Sequence, residues 1–516
     1  MLILEQEKKM NAINRPIVKT RKGTLCGIVQ WNNTLAFLGI PFAQPPVGRL
    51  RWREPLDLPD SNVEIDCSRF GPIPVQTEND DRYRGLEKGE DCLTLNVFTA
   101  DLEHTGRPVL VWAYGGAYIK GGTSYPGFNG DLMVSENPDI VLVTVNYRIG
   151  VLGSLNLSRL DPSGEYKYSN NLSRLDLRSA LKWVHENIEA FGGDPDNVTV
   201  WGHSAGSNNI SAQLLMDGPK YFNKAIMHSS FAVDVGLTSW ETSLGAADVF
   251  FDILKVSTLE ELLAVSPLDI FSAQEKLLRS DFFDSEKKAL SAVPDDIVIS
   301  KDGFERLAGG SCRDIDIIAG TTWGEYDQQF RAFGTTEEQY VFLRSQCGRK
   351  VGDLDALISF YQAQDPKRSI SELYMDIKND LWLRVPGNIL AQAAAQGGSR
   401  VWMYNTQLRT GKGVRSKHGS EFAMMFCRRE EDLVTEKTAR SVRQSLLNFV
   451  RSGAPQNGGL PEWPQYDGKD RATMVFCEEP EVRPGIRLAE MDRLWPLYQE
   501  VKFLEKETGV IQKTGY

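Results

Sequence analysis

Histidine is the scarcest reactive residue in this chain, with five in 516 residues, so each can be weighed individually as a general base. Cysteine is nearly as sparse: Cys26, Cys67, Cys92, Cys312, Cys347, Cys427 and Cys477 make an odd seven, and no C-x-x-C pair occurs. That pattern excludes a disulfide framework and a cysteine zinc site, and fits ordinary thiols in a reducing compartment. No apolar run of about 18 residues is present, so no transmembrane anchor is expected. Nor is there a basic excess. Lys and Arg number 58 against 69 Asp and Glu, a net charge of −11, which argues against a nucleic-acid partner. The amino terminus, MLILEQEKKMNAIN, has four apolar residues and then charges. This is too short for a signal-peptide core, and the chain reads as cytoplasmic. Five N-x-S/T sequons, at Asn32, Asn156, Asn171, Asn197 and Asn209, pull toward secretion. Asn197 and Asn209, however, fall in segments expected to be buried or helical.

Hydrophobic residues at 41% and aromatics at 10% suffice for a large core. Length alone would suggest about three domains, but no repeat or low-complexity linker divides the chain. The economical reading is one elaborated domain over 1–516, with 1–16 a poorly ordered tail. Val109–Tyr114 and Ile140–Val145 are near-continuous apolar runs, as in strands buried on both faces of a parallel sheet. Leu175, Leu177, Ala180, Leu181, Val184 and Ile188 recur at helical spacing, and Phe191-Gly192-Gly193-Asp194-Pro195 ends that helix. Strand, helix, strand, helix predicts an α/β fold with a large, mostly parallel sheet flanked by helices. Residues 240–300, with LEELL and EKKALSAV, and residues 336–398 read as helical insertions over the sheet. Residues 74–90 read as a polar surface loop.

Gly202-His203-Ser204-Ala205-Gly206 is the only G-x-S-x-G match in the chain. A short apolar strand ends at Trp201, and a helix-forming stretch, Ser211–Met216, follows. A serine between strand and helix sits on a sharp turn that lifts its hydroxyl above the sheet edge. That hydroxyl is a weak nucleophile; it needs a histidine to take its proton and a carboxylate to orient the histidine. In α/β-hydrolases the order is Ser, acid, His. Only His228 and His418 follow Ser204. His228 comes just after an apolar run and too soon in the chain, so it reads as structural. His418 lies in a polar loop at a suitable distance. His104 and His185 are assigned to the surface. For the acid, Asp316–Gly320 reads as a strand whose exit loop carries Glu325 and Asp327, close competitors on position alone. The Gly115-Gly116-Ala117 turn after Val109–Ala113 supplies candidate N–H donors for an oxyanion, together with the N–H of Ala205.

Together these residues resemble the type-B carboxylesterase, cholinesterase-like family of α/β-hydrolases. The resemblance runs from about Val18 to Trp495. It is carried by FLGIPFAQPPVGRLRW (37–52), GEDCLTLNVF (89–98), VWAYGGAY (111–118), VNYRIGVLG (145–153), LKWVHENIEAFGGDPDNVTVWGHSAGS (181–207), GTTWGEY (320–326) and HGSEFAMMF (418–426). It implies the α/β-hydrolase fold and a serine carboxylic-ester hydrolase acting on a small-molecule ester through an acyl-enzyme, with no metal or organic cofactor. It selects Glu325 as the acid and matches His418 to the family histidine. Gly116, Ala117 and Ala205 match the oxyanion donors. Ser229 and Glu421 stand beside the triad, Tyr118 borders the acyl pocket, and Arg51 and Glu90 match a structural ion pair.

Four departures bear on that expectation. The residue before the nucleophile is usually glutamate and here is His203, which removes a negative charge beside the imidazole. Ala117 stands where a third glycine is usual. Cys92 matches half of a family disulfide whose other half is Pro74; Cys67 is displaced by seven residues, leaving a Cys67–Cys92 bond open. The choline-stacking tryptophan has no counterpart in residues 74–90. Transfer of the acyl group to another alcohol, or lactone opening, would use the same triad. A non-catalytic binding protein of this family would typically lack the serine. Oligomeric state is not legible.

Overall fold

The computed structural model describes residues 15–498 apart from 77–79, 234–236, 286–288, 348–349, 409–414 and 427–435. The 1–14 part of the expected tail and Cys427 lie outside the described residues. Arg15 and Pro16 are tied to the body: Arg15 Nε donates to Gly27 O at 3.0 Å, and Gly27 N to Pro16 O at 2.9 Å.

Among the described residues eleven strands form the central sheet. In chain order they are β1 (Ile28–Val29), β2 (Leu35–Pro41), β3 (Thr94–Thr99), β4 (Arg107–Ala113), β5 (Val141–Val145), β6 (Gly193–His203), β7 (Lys224–His228), β8 (Asp316–Thr322), β9 (Val401–Thr406), β10 (Ala472–Phe476) and β11 (Glu481–Pro484). Their order across the sheet is β11-β10-β9-β8-β7-β6-β4-β5-β3-β2-β1. The strands from β10 to β5 in that order pair in parallel, with antiparallel strands at both edges. Every residue of β5 and β7 is buried, as their apolar runs require of strands covered on both faces. Helix α1 (Leu172–Asn187) carries the predicted apolar face and ends, through a 3-10 turn, at Gly192. Helix α2 (Ala205–Leu215) follows the elbow and is buried along its whole length. Trp112 and Trp201, opposite each other in β4 and β6, lie 4.1 Å apart between centroids, tilted by 46°, and both meet Phe426.

The insertions are helical where LEELL predicts, at Leu259–Ala264. EKKALSAV differs: its described residues 289–293 form a turn and a bridge rather than a helix. The Asn171 side chain binds both backbone groups of Val293, at 3.0 and 2.8 Å, and Pro294 follows, so helical pairing has no continuation. In the 74–90 loop Tyr83 is buried against Tyr125 rather than exposed. Of the sequon asparagines, Asn156, Asn171 and Asn209 are buried. Among the described residues no helix is long and apolar enough to cross a membrane.

Candidate active site

Ser204 is the single residue between β6 and α2, with φ +54° and ψ −124°. That region is strained for any residue with a Cβ, at a cost of about 1–3 kcal/mol, and it persists only when the surroundings over-determine it. They do. Ser204 N donates to His228 O at 2.8 Å, extending the β6–β7 ladder, while Ser204 O accepts from Asn208 N at 2.9 Å and begins the helix. Gly206 permits the close crossing: a Cβ there would lie 2.0 Å from Ala113 O. The turn therefore rests directly on the end of β4, and Ala205 N stands at the positive end of α2.

The segment after β4 bends back over this turn. Gly116 has φ +136°, and a Cβ there would sit 1.9 Å from Lys120 O. Ala117 and Tyr118 follow at φ +55° and +60°, two side-chain-bearing residues in the left-handed region in succession. Tyr118 is anchored at both ends. Its hydroxyl donates to Asn208 Oδ1 at 2.9 Å, and the Arg174 guanidinium lies 4.1 Å from its ring centroid. Ala117, Tyr118, Ser204, Ala205 and His418 share the lining of one cavity of about 570 Å³.

Glu325 and His418 come from loops leaving neighbouring parallel strands, β8 and β9. The two loops are tied together: Gly324 N donates to Ser416 O at 2.9 Å, and Gly324 pairs with Lys417 as an isolated bridge. This places Glu325 Oε2 2.6 Å from His418 Nδ1. Glu325 Oε1 accepts from Thr322 N, also at 2.6 Å, so the buried carboxylate has both oxygens bound. A carboxylate so fixed sets the tautomer that leaves Nε2 as the basic nitrogen. Asp327, the other positional candidate, is committed elsewhere. It takes two N–H bonds from Arg415, at 2.7 and 3.0 Å, and Arg415 also binds Asp376 at 2.6 Å.

His203 is buried, its ring centroid 4.3 Å from that of His418. Burial first, and then the neighbouring His418, push its pKa well below the ordinary imidazole value. It is thus a neutral ring against the histidine, where the family pattern would put an acid. His228 is fully buried, with a pKa pulled down to about 3 by burial. Tyr404 links it to Glu421: the Tyr404 hydroxyl donates to Glu421 Oε1 at 3.1 Å and leaves its oxygen to His228 Nδ1. This chain runs behind the site and agrees with a structural His228. Ser229, at φ +58°, hangs from Gly320 O through a 2.9 Å bond and reaches the cavity. His104 and His185 are exposed. Arg51 and Glu90 form a buried pair, Nη2 to Oε2 at 2.8 Å. Cys67 and Cys92 are separate buried thiols, and burial raises both, Cys67 to about 12. Among the described residues no group of His, Cys, Asp and Glu suits a metal ion.

Residues beyond the sequence reading also line the cavity. The Tyr326 ring lies nearly parallel to His418, 15° apart in plane and 6.3 Å between centroids. Gln329, Phe342, Gln346, Lys378 and Trp382 complete that wall from the helical insertions. Tyr326 adjoins the acid in GTTWGEY and could have been flagged on that ground. Lys378 sits in an ordinary amphipathic helix and leaves no sequence signal.

A mostly parallel sheet with a strained serine turn and partners at the carboxyl ends of its strands defines an α/β-hydrolase. A sequence profile of the carboxylesterase family matches residues 14–493, and the chain belongs to that family. It is 28% identical to para-nitrobenzyl esterase of Bacillus subtilis over 506 residues, covering 93% of this chain and 98% of that one. It is also 28% identical to liver carboxylesterase of Sus scrofa, over 88% of each chain. The crystal structure of carboxylesterase EST55 of Geobacillus stearothermophilus superposes with a TM-score of 0.82 at 27% identity, over 93% of this chain and all of that one. The activity is that of a carboxylesterase, hydrolysis of carboxylic ester bonds.

Proposed function

We propose that Ser204, His418 and Glu325 carry out this hydrolysis on a small-molecule ester, within one elaborated domain. His418 Nε2 takes the Ser204 proton as Oγ attacks the ester carbonyl. Glu325 holds the imidazole and balances its charge while it is protonated. The N–H groups of Gly116, Ala117 and Ala205 receive the tetrahedral oxyanion; each such donor is worth on the order of a hundredfold in turnover. His418 then protonates the leaving alcohol. Water, activated by the same imidazole, releases the acid from the acyl-serine. Ser229, Glu421 and His203 support the triad, and Tyr118 borders the acyl side.

The observation that carries this reading is the 2.6 Å contact between His418 Nδ1 and Glu325 Oε2, on the cavity that His418 shares with Ser204. A fluorophosphonate probe is expected to label Ser204, and Ser204→Ala to abolish both labelling and p-nitrophenyl ester turnover. Turnover that survives in Ser204→Ala would refute the assignment. The described cysteines are all thiols, which supports a reducing, cytoplasmic location.

A further inference from the structure

The helical insertion that walls the cavity also grips the loop that carries Glu325. The helix Ile370–Asn379 runs directly into a π-helical turn, Asp380–Arg384. Asn379 lies at their junction and is fully buried. Both ends of its amide meet the acid loop. Asn379 Nδ2 donates to Trp323 O at 3.2 Å, before Glu325 in the chain, and Asn379 Oδ1 accepts from Tyr326 N at 3.0 Å, just after it. Arg384 Nη2 donates to the same Trp323 O at 2.8 Å. The His418 segment holds the loop as well, through the bond from Gly324 N to Ser416 O. Glu325 therefore sits in a loop fixed both by the segment that carries its histidine and by the insertion.

The π turn explains how Asn379 and Arg384, so spaced in the chain, reach one carbonyl. In an α-helix they would lie about 140° apart around the axis, on different faces. Winding with i→i+5 bonds sets them nearly above one another. Such turns are rare and recur at functional sites. Buried charge fixes this one: Asp380 pairs with Arg384 and accepts from the Tyr361 hydroxyl at 2.8 Å and from Arg487 Nε at 2.9 Å. Lys378 and Trp382, on the same stretch of chain, line the cavity. The cavity wall and the grip on the acid loop are thus one piece of structure. We propose that Asn379 is a positioning residue: it holds the Trp323–Tyr326 backbone so that the Glu325 carboxylate stays on His418 Nδ1. It acts through Glu325 rather than on the substrate. The inference rests on the catalytic reading above, because it supposes that Glu325 serves His418 during turnover.

The test is a double-mutant cycle on p-nitrophenyl hexanoate, pairing Asn379→Ala with Glu325→Gln and counting kcat per folded molecule. Asn379→Ala leaves Arg384 on Trp323 O but takes the acceptor from Tyr326 N, beside the acid. It is expected to lower kcat about ten- to a hundredfold, the scale of a small misplacement of a catalytic group, with KM within about threefold of wild type. In the Glu325→Gln background the same change is expected to cost less than about threefold, because the carboxylate it positions is no longer there. A role in packing alone would lower kcat equally in both backgrounds, and that result would overturn the proposal. So would a kcat within about threefold of wild type in Asn379→Ala. Asn379→Ser stays polar but is too short to span both contacts. It takes the place of the alanine variant if that one does not fold, with the same outcomes read from it. Glu325→Gln alone tests the catalytic reading: near-wild-type kcat there would refute Glu325 as the acid and the proposal with it, whereas failure of the cycle leaves the acid assignment standing.

Discussion

The imidazoles of His203 and His418 lie 4.3 Å apart between centroids, inclined by 52°. His203 is held neutral by burial and by its neighbour, so the His418 ring rests against a neutral aromatic instead of a carboxylate. A negative charge at this position would favour the protonated form of the neighbouring imidazole. The base form would then appear only at higher pH. In His203→Glu the acidic limb of the kcat/KM profile is expected to move up by about one pH unit. His203→Gln, which stays uncharged, should leave that limb in place. A pH–rate profile of the three proteins checks both outcomes.

Glu325 and Asp327 are two residues apart yet have different partners, His418 for one and Arg415 for the other. Glu325→Gln keeps the shape but can no longer hold the imidazolium or the correct tautomer, and kcat is expected to fall about a thousandfold or more with little change in stability. Asp327→Asn weakens the buried pair with Arg415, and a loss of roughly 3 kcal/mol in unfolding free energy is expected, with kcat lowered less than about tenfold in the folded fraction. Urea unfolding and steady-state kinetics on both variants separate the roles.

Gly116→Ala would place a methyl on Lys120 O, in a backbone conformation that an alanine rarely adopts. The donor segment must shift. An approximately hundredfold fall in kcat/KM is expected, while labelling of Ser204 by a small fluorophosphonate slows without being abolished. Near-wild-type turnover would show that the Gly116 backbone plays no part in stabilising the oxyanion.

His228 titrates far below the ordinary histidine range in the folded protein because burial disfavours its charge. The unfolded chain binds that proton near pH 6.5, so stability is fully present above that pH and is lost as pH falls toward about 3. Between pH 7 and 5 the group removes about 2 kcal/mol. His228→Gln keeps a polar partner for Tyr404 and does not titrate, so its stability should fall less steeply over that interval, by about that amount. Denaturant unfolding of both proteins at the two pH values measures the difference.

The elbow was legible in the sequence because its constraints are local. A strand end, a serine and a helix start lie within a few residues, and small residues on either side allow the crossing. The acid was less legible. Glu325 and Asp327 share one loop, and position in the chain does not say which faces a histidine 93 residues later. The resemblance selected Glu325; in the structure, the pairing of Gly324 with Lys417 sets the two loops edge to edge and turns Asp327 toward Arg415. The helix expected over EKKALSAV differed for a related reason: a distant side chain, Asn171, claimed its backbone groups. Lys378 was invisible because an amphipathic helix does not declare which of its polar residues turns inward.

By itself the sequence determined what its periodicities and short motifs encode: a buried parallel sheet, a strained serine turn, and the order of serine, acid and histidine. Tertiary structure alone decided which carboxylate meets His418, that His203 presses against it as a neutral ring, and that Lys378 lines the cavity. These are contacts between segments tens to hundreds of residues apart. Their geometry follows from how strands align and helices pack around the sheet, which no local pattern carries.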